Sequence, residues 1–167
     1  MKNLLTIALT ALSLTASAQQ RVNYEVVPLP RHIEVSDTVN CFVINQQSTI
    51  AYEENNPAME RNAKFLNEYI NKTTGIKTAL IPLGKKPSKE AKNASITLTL
   101  RTAKERTDNV DAYSIEVTKK GISVKANTEE GIFRAIQTLR KSMTPEKSEE
   151  VRFPLAKIED EPRFAYR

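Results

Sequence analysis

The sequence predicts an α+β domain, with a mostly antiparallel sheet and two main helices packed on one of its faces. Three observations support this class. Residues 57–74 and 129–143 carry apolar residues at helical spacing. Several short stretches alternate apolar and polar side chains, as half-buried strands do. Two of these stretches, 113–118 and 122–126, are joined by a short turn, which favours an antiparallel hairpin just before the second helix.

The first part of the domain is expected to be extended. Residues 24–34 contain Pro28 and Pro30, which fix a kinked path suited to an edge strand or a lead-in strand. Residues 41–52 predict one or two strands, with a turn near residues 45–48.

The first helix has clear start and stop signals. Asn56 can cap free backbone N–H groups, Pro57 suits the first helical position, and Gly75 suits a left-handed end. Phe65 and Tyr69 widen the apolar stripe that faces the sheet. Residues at spacings of four, three and four form that stripe: Met59, Ala63, Leu66 and Ile70.

Two strands with a polar connection should follow this helix. Residues 78–83 form a short apolar run, and residues 94–100 alternate with Ile96, Leu98 and Leu100 on one face. The connection, GKKPSKEAKN, carries the densest group of lysines in the chain and predicts a solvated loop.

The hairpin and the second helix have the clearest sequence pattern in the chain. Gly121 is expected to supply the positive φ of the turn. Thr128 caps the helix, Glu129 and Glu130 favour its positive end, and Pro145 ends it. The buried stripe of this helix contains Ile132, Ile136, Leu139 and Met143.

The end of the chain predicts one complete strand and the beginning of another. Residues 151–158 form the complete strand, so the domain is expected to span residues 19–158. In residues 159–167, Phe164 and Tyr166 alternate with Ala165 and Arg167. A strand that begins at a chain end predicts a chain cut short, with these residues as a linker and the start of an absent domain.

Residues 1–18 predict a secretory signal peptide. Lys2 precedes an apolar run from Leu4 to Leu14, and small residues occupy 16–18. The run is shorter than the about 20 residues of a membrane span. We therefore expect cleavage after Ala18 and export to the periplasm or the extracellular space, with no membrane span.

The net charge does not indicate a nucleic-acid-binding protein. The formal charge is +5, and it falls to +4 once Lys2 is removed, leaving 24 cations against 20 anions. The cations are scattered along the chain, and the expected export also argues against nucleic acid.

The residues that usually perform chemistry are sparse or lie in unsuitable places. His32 is the single histidine, so a zinc site built from several imidazoles is excluded, and a surface or packing role is expected for it. Cys41 lies in an apolar patch, cannot form an internal disulfide, and is interpreted as a buried small hydrophobic residue.

Clustered carboxylates are candidates for paired acid–base catalysis, but each has a structural interpretation. One pair begins the second helix, and the others lie in polar connections or in the linker before Pro162, without an apolar environment that would raise a pKa. The clusters are Glu53–Glu54, Glu129–Glu130, Glu149–Glu150 and Glu159–Asp160–Glu161.

Three stretches together form a recognisable pattern. They are a Pro-x-Pro opening in residues 27–35, a strand–hairpin–strand–helix block in residues 112–143, and an Asp-x-Pro-Arg-Phe passage in residues 158–167. In this order they resemble the N-terminal part of glycoside hydrolase family 20, the β-N-acetylhexosaminidases. The chain departs mildly from the family pattern at Ala135, often glycine, and at Lys141, often glutamine, and both residues suit a helix.

The resemblance implies a noncatalytic α+β domain, described as zincin-like in shape. Residues 159–167 would then lead into a catalytic (β/α)₈ barrel, whose first strand would start at Phe164. The family's sugar-binding arginine and its adjacent Asp-Glu pair come after that point. We therefore expect no catalytic, cofactor-binding or metal-binding residue in this chain, and no activity from the chain alone.

For the complete enzyme, the resemblance implies retaining hydrolysis of terminal N-acetylhexosamine residues from glycans. The acetamido oxygen of the substrate attacks the anomeric carbon, a Glu acts as acid and then base, and an Asp orients the acetamido group. No cofactor is implied. The implied partners are the barrel of the same protein and, through it, an amino-sugar glycan.

Two other interpretations stay open: a free-standing exported module that binds a glycan or a protein, and a secreted domain of unrevealed role. The absence of Trp weighs against a glycan-stacking module. A binding module should have a closed polar surface, whereas a domain of the resembled family should show an apolar face without a partner and an unpaired C-terminal strand.

Overall fold

A computed structural model describes residues 20–161 of the chain. The expected signal peptide and the expected strand at Phe164–Arg167 lie outside these residues. The described strands are β1 (Gln20–Arg21), β2 (His32–Asn45), β3 (Thr49–Glu53), β4 (Ala79–Leu83), β5 (Ile96–Leu100), β6 (Tyr113–Thr118), β7 (Gly121–Ala126) and β8 (Glu150–Asp160). The described helices are α1 (Pro57–Thr74), α2 (Lys89–Lys92) and α3 (Glu129–Ser142).

The α+β class is confirmed, and the sheet is mixed. The strand order is β1-β8-β6-β7-β5-β3-β4, with β2 paired to β8. The pairs β2–β8, β8–β6 and β6–β7 are antiparallel, as expected. The pairs β7–β5, β5–β3 and β3–β4 are parallel, as is the short β1–β8 pair, so only one half of the sheet matches the predicted antiparallel arrangement.

The parallel half arises from crossover connections. The chain passes from β3 through α1 to β4, and then through α2 to β5, which lies on the other side of β3. Parallel neighbours require such crossovers. The lysine-rich connection predicted as a loop therefore contains a helical turn, α2, which is capped by Ser88 and fixed by the buried side chain of Ala91.

The predicted ends of both main helices are confirmed. The Asn56 side chain accepts hydrogen bonds from the N–H groups of Ala58 and Met59, and Gly75 ends α1 at a φ of 85°. At the start of α3, Thr128 accepts from the N–H of Gly131. The helix ends at Ser142, three residues before Pro145.

The hairpin turn has its glycine at a positive φ, as predicted. Gly121 has a φ of 159°, at the limit of the region that side chains rarely adopt. A Cβ atom at this position would lie 2.9 Å from the carbonyl oxygen of Ser95. That carbonyl accepts a hydrogen bond of 2.9 Å from the N–H of Ile122. The glycine therefore permits a close approach between neighbouring strands.

β8 is the central strand of the antiparallel half. It extends to Asp160, so Glu159 and Asp160 belong to the sheet, although the sequence indicated a linker from residue 159. Pro154 lies in its interior, opposite a register shift in β2 between Asp37 and Cys41. Proline cannot donate to a ladder, and the irregular pairing accommodates it.

Of residues 24–34, which the sequence predicted as an edge or lead-in strand, residues 32–34 begin β2, and residues 24–31 form no strand. This segment, here named the strap, runs along the domain surface before β2 begins.

The core lies between one face of the sheet and the two main helices. α1 contacts α3, β3 and β4, while α3 contacts β5, β6 and β7, so both helices cover the same face as predicted. The predicted helical stripes are buried in it: Met59, Ala63, Leu66 and Ile70 from α1, and Ile132, Ile136, Leu139 and Met143 from the α3 segment. They meet alternating strand residues such as Ile115, Val124 and Ile158.

Candidate functional site

A groove lies between α1, α3 and the strap. Its volume is about 520 Å³. Its apolar lining comes from Val26, Pro28, Ala58, Phe65 and Phe133. Its polar lining comes from Arg61, Asn62, Tyr113, Glu129, Glu130, Arg134, Gln137, Thr138, Lys141 and Asp160.

Aromatic side chains project from the helices beside this groove. Phe65 of α1 is 40% exposed and Phe133 of α3 is 38% exposed. Their rings meet edge to face with centroids 5.9 Å apart. Tyr69 stacks on the other side of Phe65 at 6.4 Å, and the Arg140 guanidinium lies 5.1 Å from the Tyr69 ring centroid. The two helices therefore share an apolar ridge that the sheet does not cover.

Buried polar contacts hold the floor of the groove. The hydroxyl groups of Tyr113 and Thr138 are 2.7 Å apart, which joins β6 to α3. The Asn62 side chain donates a hydrogen bond of 2.8 Å to the backbone carbonyl of Glu129, which joins α1 to α3. These contacts fix the helix spacing on which the groove depends.

Glu129 lies in the first turn of α3, as predicted, and its carboxylate also has a hydrogen-bond partner at the start of α1. The Asn56 side-chain amide donates a hydrogen bond of 2.8 Å to its carboxylate, so the cap of α1 also binds the start of α3. This bond and the backbone N–H of Glu129 itself lower the pKa of the carboxyl from its ordinary value of 4.5, against a smaller opposing effect of burial. A general acid needs a raised pKa, so Glu129 is suited to joining the helices.

Charged groups pair along the groove. The Arg134 guanidinium donates to the Asp111 carboxylate at 2.8 Å. Lys141 donates to the carbonyl oxygen of Val27 at 2.6 Å, which ties the strap to α3. The charges nearest the groove therefore hold its walls in place.

The strap is attached at both of its ends. Before it, the N–H of Asn23 donates to the Ser142 carbonyl at 2.9 Å. The buried Tyr24 hydroxyl donates to the Pro154 carbonyl at 2.8 Å, and burial raises the pKa of this phenol. At the far end, the N–H of Arg31 donates to the Asp160 carboxylate at 3.2 Å, and the Arg31 guanidinium pairs with Glu161.

The two candidate nucleophile or base residues lie apart from the groove. His32 begins β2 with an exposed side chain, and its Nε2 is 3.9 Å from the Glu34 carboxylate. Cys41 is half-buried, so it is less enclosed than the sequence indicated, and its Sγ is 3.9 Å from the Val39 carbonyl. Neither residue is among those that line the groove.

The remaining carboxylate clusters are dispersed over the surface. Glu53 accepts a hydrogen bond of 2.7 Å from the N–H of Leu100. Glu150 pairs with Arg152, and Glu159 pairs with Lys157. Each of these three carboxylates thus has a local partner. Among residues 20–161, no group of three or more His, Cys, Asp or Glu side chains could hold a metal ion.

Beside the groove, the large exposed apolar side chains of the two helices are Phe65 and Phe133. The sequence indicated an apolar face without naming its members, because Phe65 was interpreted as part of the buried stripe and Phe133 was not selected. Phe133 follows Ile132 directly, so it lies about 100° around the helix from the buried stripe. This angular offset was the signal in the sequence that could have identified Phe133.

Across the described part of the chain, no helix is long and apolar enough to cross a membrane.

A protein-family model matches most of this chain. The model described as "Glycosyl hydrolase family 20, domain 2" matches residues 23–161. A search of curated proteins gives no match.

Solved structures share the fold of this chain. A mutant beta-hexosaminidase of Streptomyces plicatus, in complex with product (GlcNAc), superposes with a TM-score of 0.72 at 20% identity over 90% of this chain and 28% of its own. The GH20 beta-N-acetylhexosaminidase of Streptomyces coelicolor gives 0.69 at 18% identity, over 90% and 29%. The beta-N-acetylhexosaminidase of Bacteroides fragilis gives 0.57 at 25% identity, over 84% and 25%. The chain thus spans less than a third of the length of these proteins.

Proposed function

Because the chain belongs to glycosyl hydrolase family 20, with the family's domain 2 matching residues 23–161, we propose that it is the noncatalytic N-terminal domain of an exported β-N-acetylhexosaminidase. Its role is to support a catalytic (β/α)₈ barrel in the same protein. The groove and the aromatic ridge of Phe65 and Phe133 form the surface that the barrel covers.

One observation carries this proposal. The matched hexosaminidase of Streptomyces plicatus covers 90% of this chain, yet the chain covers only 28% of that protein. A supporting domain of this kind should present an apolar surface that its own core does not need. Phe65 and Phe133 meet this expectation, since they are large, adjacent and partly exposed on the helix face.

The complete protein is proposed to release terminal N-acetylhexosamine from glycans. The reaction retains anomeric configuration and uses the substrate's own acetamido oxygen as nucleophile. The acid–base Glu and the orienting Asp belong to the barrel, and the residues described here contribute position and stability. The signal peptide proposed at residues 1–18 directs the protein out of the cytoplasm.

The test is an activity assay on two proteins. One is the 167-residue chain, and the other is the product of the whole reading frame, here called the full-length protein. Both are incubated with a chromogenic N-acetylglucosaminide, and released chromophore is measured. We expect turnover by the full-length protein and none by the 167-residue chain.

Three results would contradict the proposal. Hydrolysis by the 167-residue chain would place the active site within it. A full-length protein that is folded but inert towards N-acetylglucosaminides and N-acetylgalactosaminides would remove the assigned activity. A reading frame that stops after Arg167 would remove the barrel.

A further inference from the structure

The strap carries two apolar side chains that are exposed to solvent and are not buried in the core of the domain. Val27 is 82% exposed and Leu29 is 62% exposed, although both flank Pro28 on a segment fixed at each end. Isolated exposed apolar residues are ordinary on protein surfaces. Two in a three-residue stretch of anchored backbone require an explanation.

The strap separates two cavities. Val26 and Pro28 line the groove on the helix side. Leu29 lines a second cavity of about 600 Å³ together with Ile33 and the exposed Val35. The apolar surface of the groove therefore continues across the strap towards the beginning of β2.

Hydrogen bonds to neighbouring elements hold the strap in one position on the domain. Lys141 holds the Val27 carbonyl, and Asp160 holds the N–H of Arg31. A preorganised apolar surface loses less conformational entropy on association than a loose segment would.

The position of the last anchor indicates what covers the strap. Arg31 binds Asp160 and Glu161, which are the residues from which the chain continues. Whatever polypeptide follows Glu161 therefore starts at the end of the strap. The structurally similar Streptomyces plicatus protein is covered to only 28% by this chain, so the polypeptide proposed to follow is large.

We propose that the strap is a second docking surface, with Val27 and Leu29 buried by the same following domain that covers Phe65 and Phe133. This inference rests on the proposed function, since it assigns the strap to the partner of the groove. Arg31 is a positioning residue in this arrangement, because it fixes the strap relative to the chain exit.

Cysteine accessibility in the full-length protein tests the inference. Val27→Cys, Leu29→Cys and Phe133→Cys are introduced one at a time in a background in which Cys41 and any other cysteine of the full-length protein are replaced by serine. Labelling by a maleimide is followed by intact-mass spectrometry. Glu116→Cys is the control, because Glu116 is exposed on the sheet face opposite the helices. We expect the strap and groove cysteines to react at least about tenfold more slowly than the control.

The outcomes separate the two proposals. Slow labelling at Phe133→Cys with fast labelling at Val27→Cys and Leu29→Cys overturns the strap inference and leaves the proposed function intact. Fast labelling at all three positions overturns both. Slow labelling at Val27→Cys and Leu29→Cys with fast labelling at Phe133→Cys would contradict the proposal that one domain covers both surfaces.

A second measurement avoids substitutions altogether. Amide hydrogen exchange of Val27 and Leu29 is compared between the 167-residue chain and the full-length protein. We expect protection of both amides in the full-length protein, and unchanged exchange would overturn the inference.

Discussion

Single residues in this domain often serve two elements at once. The Asn56 side chain caps α1 through its oxygen and binds the Glu129 carboxylate at the start of α3 through its amide. The start of each helix thus depends on the other, and this contact positions Glu129, one of the paired glutamates that resemble catalytic carboxylates in the sequence.

The Glu129 contact predicts a pH dependence of stability. Its pKa is lowered in the folded protein, chiefly by the Asn56 hydrogen bond, so the stabilisation is present above its ordinary pKa of 4.5 and is lost as the pH falls through the folded value. We expect Glu129→Gln to flatten the decrease in unfolding free energy between about pH 5.5 and pH 3. Urea unfolding at several pH values measures this change.

Glu130→Gln is the matched control for this experiment. It removes the same charge one residue further along α3, at an exposed position, and should keep the slope of the unmodified protein. Parallel pH profiles for Glu129→Gln and the unmodified protein would show that the Asn56 contact does not stabilise the fold.

At Gly131, the steric clash of an added Cβ atom should outweigh the general preference of helices for alanine over glycine. An alanine usually favours a helix interior over glycine by about 1 kcal/mol. Here the added Cβ would lie 2.8 Å from Ala126 Cβ and 3.3 Å from the Ala112 carbonyl oxygen. We expect Gly131→Ala to lower the free energy of unfolding by about 1–3 kcal/mol, measured by urea denaturation. Glu130→Ala serves as the control, and stabilisation by Gly131→Ala would show that α3 can shift without cost.

At the scale of elements, the end of α1 offers a contrasting glycine. Gly75 has a φ of 85°, and a Cβ there would meet no atom within 4 Å. The cost of Gly75→Ala is therefore conformational, about 1 kcal/mol in free energy of unfolding. Gly75→Asn should cost less, because asparagine tolerates left-handed backbone. Equal losses for the two variants, again by urea denaturation, would contradict this account.

Elements with local signals could be predicted from the sequence. Asn56, Pro57 and Gly75 define α1 through interactions within a few residues, and Thr128 does the same for α3. The hairpin of β6 and β7 is likewise local. Its alternating residues pair directly across a two-residue turn, from Thr118 opposite Gly121 to Tyr113 opposite Ala126.

Features that depend on distant partners could not be predicted in this way. An apolar run such as residues 79–83 indicates a strand but does not indicate its neighbour, so the parallel β3–β4 and β3–β5 pairs were missed. The short helix α2 consists mostly of charged residues and is fixed by one buried alanine, Ala91. The groove was missed because an apolar residue beside a buried stripe can either widen that stripe or face outward.

At the scale of the whole molecule, the helix layer lies between the sheet and the proposed barrel. The outer side of the sheet is polar, with Glu116 and Lys157 exposed across neighbouring strands, while the outer side of the helices carries the aromatic ridge. This asymmetry is the reason for proposing the helix side as the interface.

Replacing the ridge should therefore affect the full-length protein more than this chain. Phe65→Ser combined with Phe133→Ser removes two partly exposed rings, and the isolated domain loses their mutual contact and the stacking of Phe65 on Tyr69. In the full-length protein the same rings are proposed to be buried. We expect the midpoint of thermal unfolding to fall by at least about 4 °C more there than in the 167-residue chain. Equal shifts, followed by circular dichroism, would contradict a covered ridge.

The central position of β8 limits when this domain can complete its fold during synthesis. β8 is made after every other described strand and helix, and within residues 20–161 it is the strand that pairs with β2. The Tyr24 hydroxyl also needs β8, because its acceptor is the Pro154 carbonyl. A nascent chain that lacks β8 therefore leaves β2 unpaired and the Tyr24 phenol without this acceptor.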